Sequence, residues 1–112
     1  MDKTNQMTEA AAIKEKEIRP ILKLVAQIVR QHLPETTPRI LLFGSWATLK
    51  AMPTSDIDIG LLGEGPVDFL VMAQLREEIA RLPTLRKIEV VDLWGVEDQF
   101  RANVEQQAEL LA

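Results

Sequence analysis

No cysteine occurs among the 112 residues, which removes disulfides, thiolate nucleophiles and thiolate metal ligands. One histidine, His32, is too few for a zinc centre of the usual kind. No stretch approaches the ~20 continuous apolar residues that a membrane-spanning helix needs. The opening Met1-Asp2-Lys3-Thr4-Asn5-Gln6 is polar and no apolar run follows it, so no signal peptide is expected and the expected location is the cytoplasm. Basic residues are outnumbered, 13 against 17 acidic, for a net charge of −4. Such a chain is poorly suited to gripping a nucleic-acid duplex, which takes clustered Lys and Arg.

What is present suits one compact domain with an ordinary core: 46% hydrophobic and 27% charged residues. Residues 1–6 are expected to be disordered. Thr8 is a candidate cap for a helical segment spanning 9–32, where Ile13, Ile18, Ile21, Leu22, Val25, Ile28 and Val29 recur at helical spacing. Pro20 predicts a break near Arg19 or a kink, because proline removes a helical hydrogen bond. The Lys14-Glu15-Lys16-Glu17 run reads as a solvated face. His32 reads as a terminal cap or a solvated side chain.

The sheet-and-helix core is expected over 39–111. Arg39 to Phe43 reads as a buried strand, Ser45 to Lys50 as a short helix or turn, and Asp56 to Leu62 as a second strand. Val67 to Leu82 returns to helical spacing, with Phe69 or Leu70, Met72, Leu75, Ile79 and Leu82 on one side. Lys87 to Leu93 is a third strand, rich in β-branched residues. Glu97 to Leu111 reads as a last helix. The fold class is therefore α/β or α+β: a small sheet with helices packed against it.

One stretch carries chemistry. A strand ends at Gly44, where the missing side chain permits close approach. Ser45 opens a short helical segment whose free N–H groups suit phosphate oxygens. Ten residues later stand Asp56 and Asp58, two apart, which on a strand places both on one face. Paired carboxylates call for a cation, and magnesium takes carboxylate and phosphate oxygens together. A third acid is expected from a neighbouring strand. Glu89 and Asp92 both qualify by position, but three apart they face opposite sides, so at most one joins the pair. Their bland readings are an exposed Glu89 paired with Lys87 and a capping Asp92. Trp46 and Trp94 read as packing residues, with base stacking by Trp46 as the alternative.

Gly-Ser, ten residues, then Asp-Ile-Asp resembles the signature of the DNA polymerase β-like nucleotidyltransferase superfamily. The short length is similar to its minimal nucleotidyltransferase branch, and the likeness runs from about Ile40 to Leu110. Lys87-Ile88-Glu89-Val90-Val91-Asp92-Leu93 and the following Phe100-Arg101 belong to it. The resemblance implies a polymerase β palm-like fold with a mixed sheet. It implies transfer of a nucleoside monophosphate, AMP from ATP, to an acceptor hydroxyl with two Mg2+ ions. Asp56, Asp58 and Glu89 are then the catalytic and metal-holding acids, with Asp92 as the alternative third acid if the strand is bulged. Gly44, Ser45 and Ser55 are the nucleotide contacts. The branch commonly pairs with a helical HEPN protein in toxin–antitoxin systems, so a HEPN-type toxin is the expected partner. Its tyrosine hydroxyl is an acceptor used in that branch.

The chain departs from the family pattern at three points. Trp46 stands where Arg or Phe is common, Leu49 where Gly is common, and Glu89 where the third Asp falls. These keep a second reading open: a binding module that neutralises its partner by complex formation with little or no catalysis. A structural subunit that binds no nucleotide is the third reading.

Overall fold

The computed structural model describes residues 8–112; the expectation of disorder over 1–6 lies outside the described residues. Thr8 caps the first helix as expected, its hydroxyl accepting the Ala11 N–H at 3.0 Å. Helix α1 (Glu9–Ile13) runs through a π-helical turn (Lys14–Ile18) into α2 (Arg19–His32). The predicted break is therefore absent and the chain stays helical. Pro20 falls in the first turn of α2, and the wider turn ahead of it, in which the Arg19 N–H donates to the Lys14 carbonyl, absorbs the missing donor.

Four strands form one sheet in the order β3-β2-β1-β4. β1 (Arg39–Phe43) and β2 (Ile57–Leu62) are antiparallel, joined through the one-turn helix α3 (Ser45–Thr48) and a loop. β2 and β3 (Ile88–Asp92) are parallel, and α4 (Phe69–Ile79) makes the crossover that a parallel pair requires. A 3₁₀ turn (Leu93–Gly95) leads to α5 (Asp98–Gln107). The last residues correct the expected terminal helix: α5 stops at Gln107, and β4 (Glu109–Leu110) pairs antiparallel with the free edge of β1.

Strand alternation separates two faces. Ile40, Leu42, Ile57, Ile59, Leu61 and Val90 pack against α2 and α4 to make the main core with Ile18, Leu22, Val25 and Leu75. Leu41, Leu62, Leu93 and Val104 form a smaller cluster on the other face, under α5. Phe43 and Phe100 meet there edge to face, 6.0 Å between centroids. On α4 the buried side is Met72, Leu75 and Ile79, whereas Phe69 and Leu70, one of which is expected on that side, are both exposed in the first turn. Asp68 caps that turn, accepting the N–H groups of Leu70 and Val71.

In the charged run before Pro20, Glu15, Lys16 and Glu17 are exposed as a solvated face would be, and Lys14 is the exception. Lys14 is buried and meets Glu109 at 2.8 Å, and Arg19 bonds both Glu15 and Glu109. Arg19, and then Lys14, hold the Glu109 carboxyl below its ordinary 4.5. His32 bonds Glu78 at 2.6 Å and ties α2 to α4, instead of serving as a cap.

Glu109 thus fastens β4 to the first helix. We expect Glu109→Gln to lower stability by about 1–2 kcal/mol at neutral pH, since it leaves Lys14 without its counter-charge. A carboxyl with a lowered folded pKa stabilises above its unfolded value and loses that contribution as pH falls through the folded one. The gap between wild type and variant, measured by chemical denaturation, should therefore close below about pH 4.5, the ordinary value for the group.

Candidate active site

β1 ends at Phe43, and the chain turns sharply at Gly44 with φ 75° and ψ −155°. That region of backbone space is essentially restricted to glycine. The turn also brings Gly44 against Asp58: a Cβ on Gly44 would lie 2.3 Å from Asp58 Oδ2. Glycine is required here twice over, by backbone and by space. Gly44, not Ser45, is the N-cap of α3, and its carbonyl accepts the N–H groups of Ala47 and Thr48. Ser45 is the first residue of α3. Leu49 closes the turn in the left-handed conformation, φ 60°. The family's common glycine suits that conformation, and the leucine adopts it all the same.

The loop that follows is tied to itself and to its surroundings. The Ser55 N–H donates to the Met52 carbonyl, and the Met52 N–H donates to the Ser55 hydroxyl at 2.8 Å. Ser55 therefore has a loop-shaping bond at the side chain expected to contact nucleotide. Trp46 is fully buried and its indole N–H donates to the Ser55 carbonyl at 3.0 Å. It is a packing residue, as its bland reading held.

β2 begins one residue after Asp56. Asp58 is half-buried and Asp56 is exposed. In the parallel pairing, Asp58 stands beside Glu89. Paired residues share a face, and it is the face that Leu62 and Leu93 occupy further along, opposite the main core. Burial first, then the charges of Glu89 and Asp56, push the Asp58 carboxyl above its ordinary 3.8. Asp58 thus lies in the field of both other acids. Glu89 is bonded to Lys87 at 2.8 Å, which raises the Lys87 ammonium in turn.

Asp92 is elsewhere. The register runs unbroken from Ile57↔Ile88 to Leu61↔Asp92, so no bulge returns Asp92 to the Asp58 face. Its carboxylate caps the chain, accepting the N–H groups of Val67 at 2.8 Å and Trp94 at 3.0 Å.

The donors present are carboxylate oxygens, and among the described residues no salt bridge reaches Asp56 or Asp58; hard oxygen donors of this kind suit a hard divalent cation. Among the described residues no three acids already stand as a closed three-ligand cage. Asp56 and Asp58 fit the role as they are. Glu89 would do so by exchanging Lys87 for the cation.

Comparison with known proteins gives concordant results. The family described as polymerase beta, nucleotidyltransferase matches residues 23–112. A probable protein adenylyltransferase, MntA, of Haemophilus influenzae is 30% identical over 80 residues, covering 71% of this chain and 68% of that protein. Among solved structures, a toxin–antitoxin with AMP-PNP superposes with a TM-score of 0.69 at 24% identity, over 81% of this chain and 72% of that one. An MNT antitoxin in complex with a tri-AMPylated HEPN toxin of Shewanella oneidensis gives 0.65 at 22% identity, over 84% and 71%. At these identities the structural likeness speaks for the fold.

Two substitutions should move stability in opposite directions. Asp58→Asn removes a half-buried charge held close to two others, and the metal-free variant should melt a few degrees above wild type at pH 7. Gly44→Ala forces a Cβ into Asp58 from a glycine-only conformation, and should lower stability by about 2 kcal/mol or more. Thermal and chemical denaturation in the presence of a chelator measure both. An Asp58→Asn variant less stable than wild type would contradict the crowding of charge described here.

Proposed function

Since the chain belongs to the polymerase β nucleotidyltransferase family, we propose that it transfers AMP from ATP to a hydroxyl of a HEPN-type protein partner and releases pyrophosphate as the bond between the α and β phosphates breaks, with Mg2+ at Asp56 and Asp58. The single observation that carries this reading is the pairing of Asp58 with Glu89 on the face of the sheet opposite the main core, with Asp56 two residues away and Gly44 packed directly over Asp58. Two of the similar proteins agree with it by name: one is a probable protein adenylyltransferase, and the other, alike in fold, is an antitoxin bound to an AMPylated HEPN toxin.

In this reading each residue has a definite task. Asp58, most crowded by like charge, binds a cation most readily, because the cation relieves a repulsion that the fold has already built in. Asp56 provides the second carboxylate from the loop end. Glu89 completes the set and, once free of Lys87, can accept the proton of the attacking hydroxyl. The backbone at Gly44 and Ser45 presents N–H groups to the terminal phosphates, and Ser55 is the further nucleotide contact. A bound divalent cation supplies charge neutralisation for the triphosphate and makes the acceptor hydroxyl easier to deprotonate. Lys87 is left beside the site as a mobile positive charge when Glu89 turns away.

One observation favours a second reading. Glu89 is engaged by Lys87 and the acids do not form a closed cage, which suits a module that binds its partner with weak catalysis or none. Titration calorimetry of ATP, with Mg2+ and with a chelator, separates the readings. Binding that requires Mg2+ and is lost in Asp58→Asn supports the transferase. Partner neutralisation that survives an Asp56→Asn, Asp58→Asn double substitution supports the binding module. A partner that acquires AMP from wild type, and not from the double variant, excludes it.

A further inference from the structure

Asp56 is exposed, and it lies ahead of β2 in the loop, where no strand pairing fixes it. Something else must hold it. The next residue is anchored, since the Ile57 N–H donates to the Lys87 carbonyl at 2.8 Å. The preceding residue is held by Trp46 through the Ser55 carbonyl. One further side chain reaches the loop from outside, and it comes from Arg86.

The Arg86 side chain is 17% exposed and joins three separate parts of the chain. Its Nε donates to the Pro53 carbonyl at 2.8 Å, in the loop. Its Nη2 donates to Glu17 at 3.0 Å, in the π-helical turn. Its guanidinium lies 5.6 Å from the centroid of the Trp46 ring. Arginine suits this position because its planar fork donates in two directions while its face lies on an aromatic ring. Lysine has one ammonium and cannot make all three contacts. An exposed ion pair with Glu17 alone would be worth little. The bond to a loop carbonyl and the stacking on a buried indole make Arg86 more than such a pair.

We propose that Arg86 is a positioning residue for the metal site. It holds the Met52–Ser55 loop between Trp46 and the N-terminal helix, so that Asp56 stands in place before a cation arrives. The proposal rests on Asp56 and Asp58 being the cation ligands, as argued above. Without the clamp, ordering of the loop has to occur on binding and weakens it. Cation binding then suffers while nucleotide contacts away from the loop do not. The tie through Glu17 also makes the π-helical turn part of the support of the site.

The test uses Arg86→Ala, Arg86→Lys and Glu17→Gln, with Arg81→Ala as a control that removes an exposed pair with Glu77. Hydrogen exchange of residues 52–57 is followed in the metal-free proteins. The Mg2+ dependence of ATP binding is followed by calorimetry. Arg86→Ala should lose protection at 52–57 selectively, and its Mg2+ midpoint should rise about tenfold, with ATP affinity largely recovered at saturating Mg2+. Arg86→Lys should fall between wild type and Arg86→Ala, Glu17→Gln should give a smaller shift, and Arg81→Ala should give none. Arg86→Lys and Glu17→Gln carry the test if Arg86→Ala does not fold. In a Trp94→Phe background, Trp46 fluorescence reports the same release without any ligand. Wild-type metal binding with an unmoved midpoint in Arg86→Ala overturns this inference alone. So does protection lost uniformly across β1, β2 and β3, because that marks general destabilisation. A wild type that binds no ATP with Mg2+ overturns the metal-site assignment, and the positioning role with it.

Discussion

Asp58 is a carboxylate partly withdrawn from water, beside Glu89 on the neighbouring strand and near Asp56 two residues back. Like charges in such a position oppose folding, so the surrounding chain has to hold them there. The parallel β2–β3 pairing sets Glu89 level with Asp58. The glycine-only turn at Gly44 leaves room for the Asp58 side chain. The Trp46 indole and the Arg86 guanidinium fix the loop that ends at Asp56. The main core, on the opposite face of the sheet, supplies the burial that offsets this local cost. The electrostatic cost and the apolar gain thus lie on opposite faces of the same strand, since β2 alternates Ile57, Ile59 and Leu61 with Asp58, Gly60 and Leu62.

That alternation explains why much of the site was legible in the sequence. Period-two patterning places Asp58 opposite the core without any knowledge of neighbours, and Glu89 and Asp92 three apart must take opposite sides. Register sets Glu89 level with Asp58, and Asp92 serves as a cap. Legibility failed where the partner lay far away in sequence. Lys14 looked solvated because its counter-charge, Glu109, is at the other end of the chain. Glu109 and Leu110 looked helical because two residues carry no period, and they are a strand because the open edge of β1 needs hydrogen bonds. Phe69 and Leu70 fit the helical period of α4, but they occupy its first turn, outside the region where the helix covers the sheet. At Pro20 the sequence signalled a disturbance, not its form; a π-helical turn leaves the helix continuous where a break would have split it.

The departures from the family pattern bear unequally on the site. Leu49 accepts a left-handed conformation at some backbone cost and leaves the turn intact. Trp46 is not a substitute ligand. It is the buried surface on which Arg86 lies and the donor that holds Ser55, so it belongs to the loop's support. Glu89 is the departure with chemical consequence.

Its consequence turns on Lys87. Lys87 feels the charge of Asp56, and Asp58 is paired with Glu89 across β2 and β3. Lys87 bonds to Glu89, and among the described residues no salt bridge reaches Asp56 or Asp58. Lys87 therefore serves an exposed acid, while among the described residues the half-buried Asp58 has no salt bridge. An exposed Lys–Glu pair is weak and easily exchanged. The extra methylene of glutamate is what lets Glu89 reach back to Lys87 or forward to Asp58, a choice that a shorter aspartate would have to make with less reach. Positive charge arriving from outside would thus find its strongest unmet demand at Asp58 and meet Asp56 already held, with only Glu89 left to reorient.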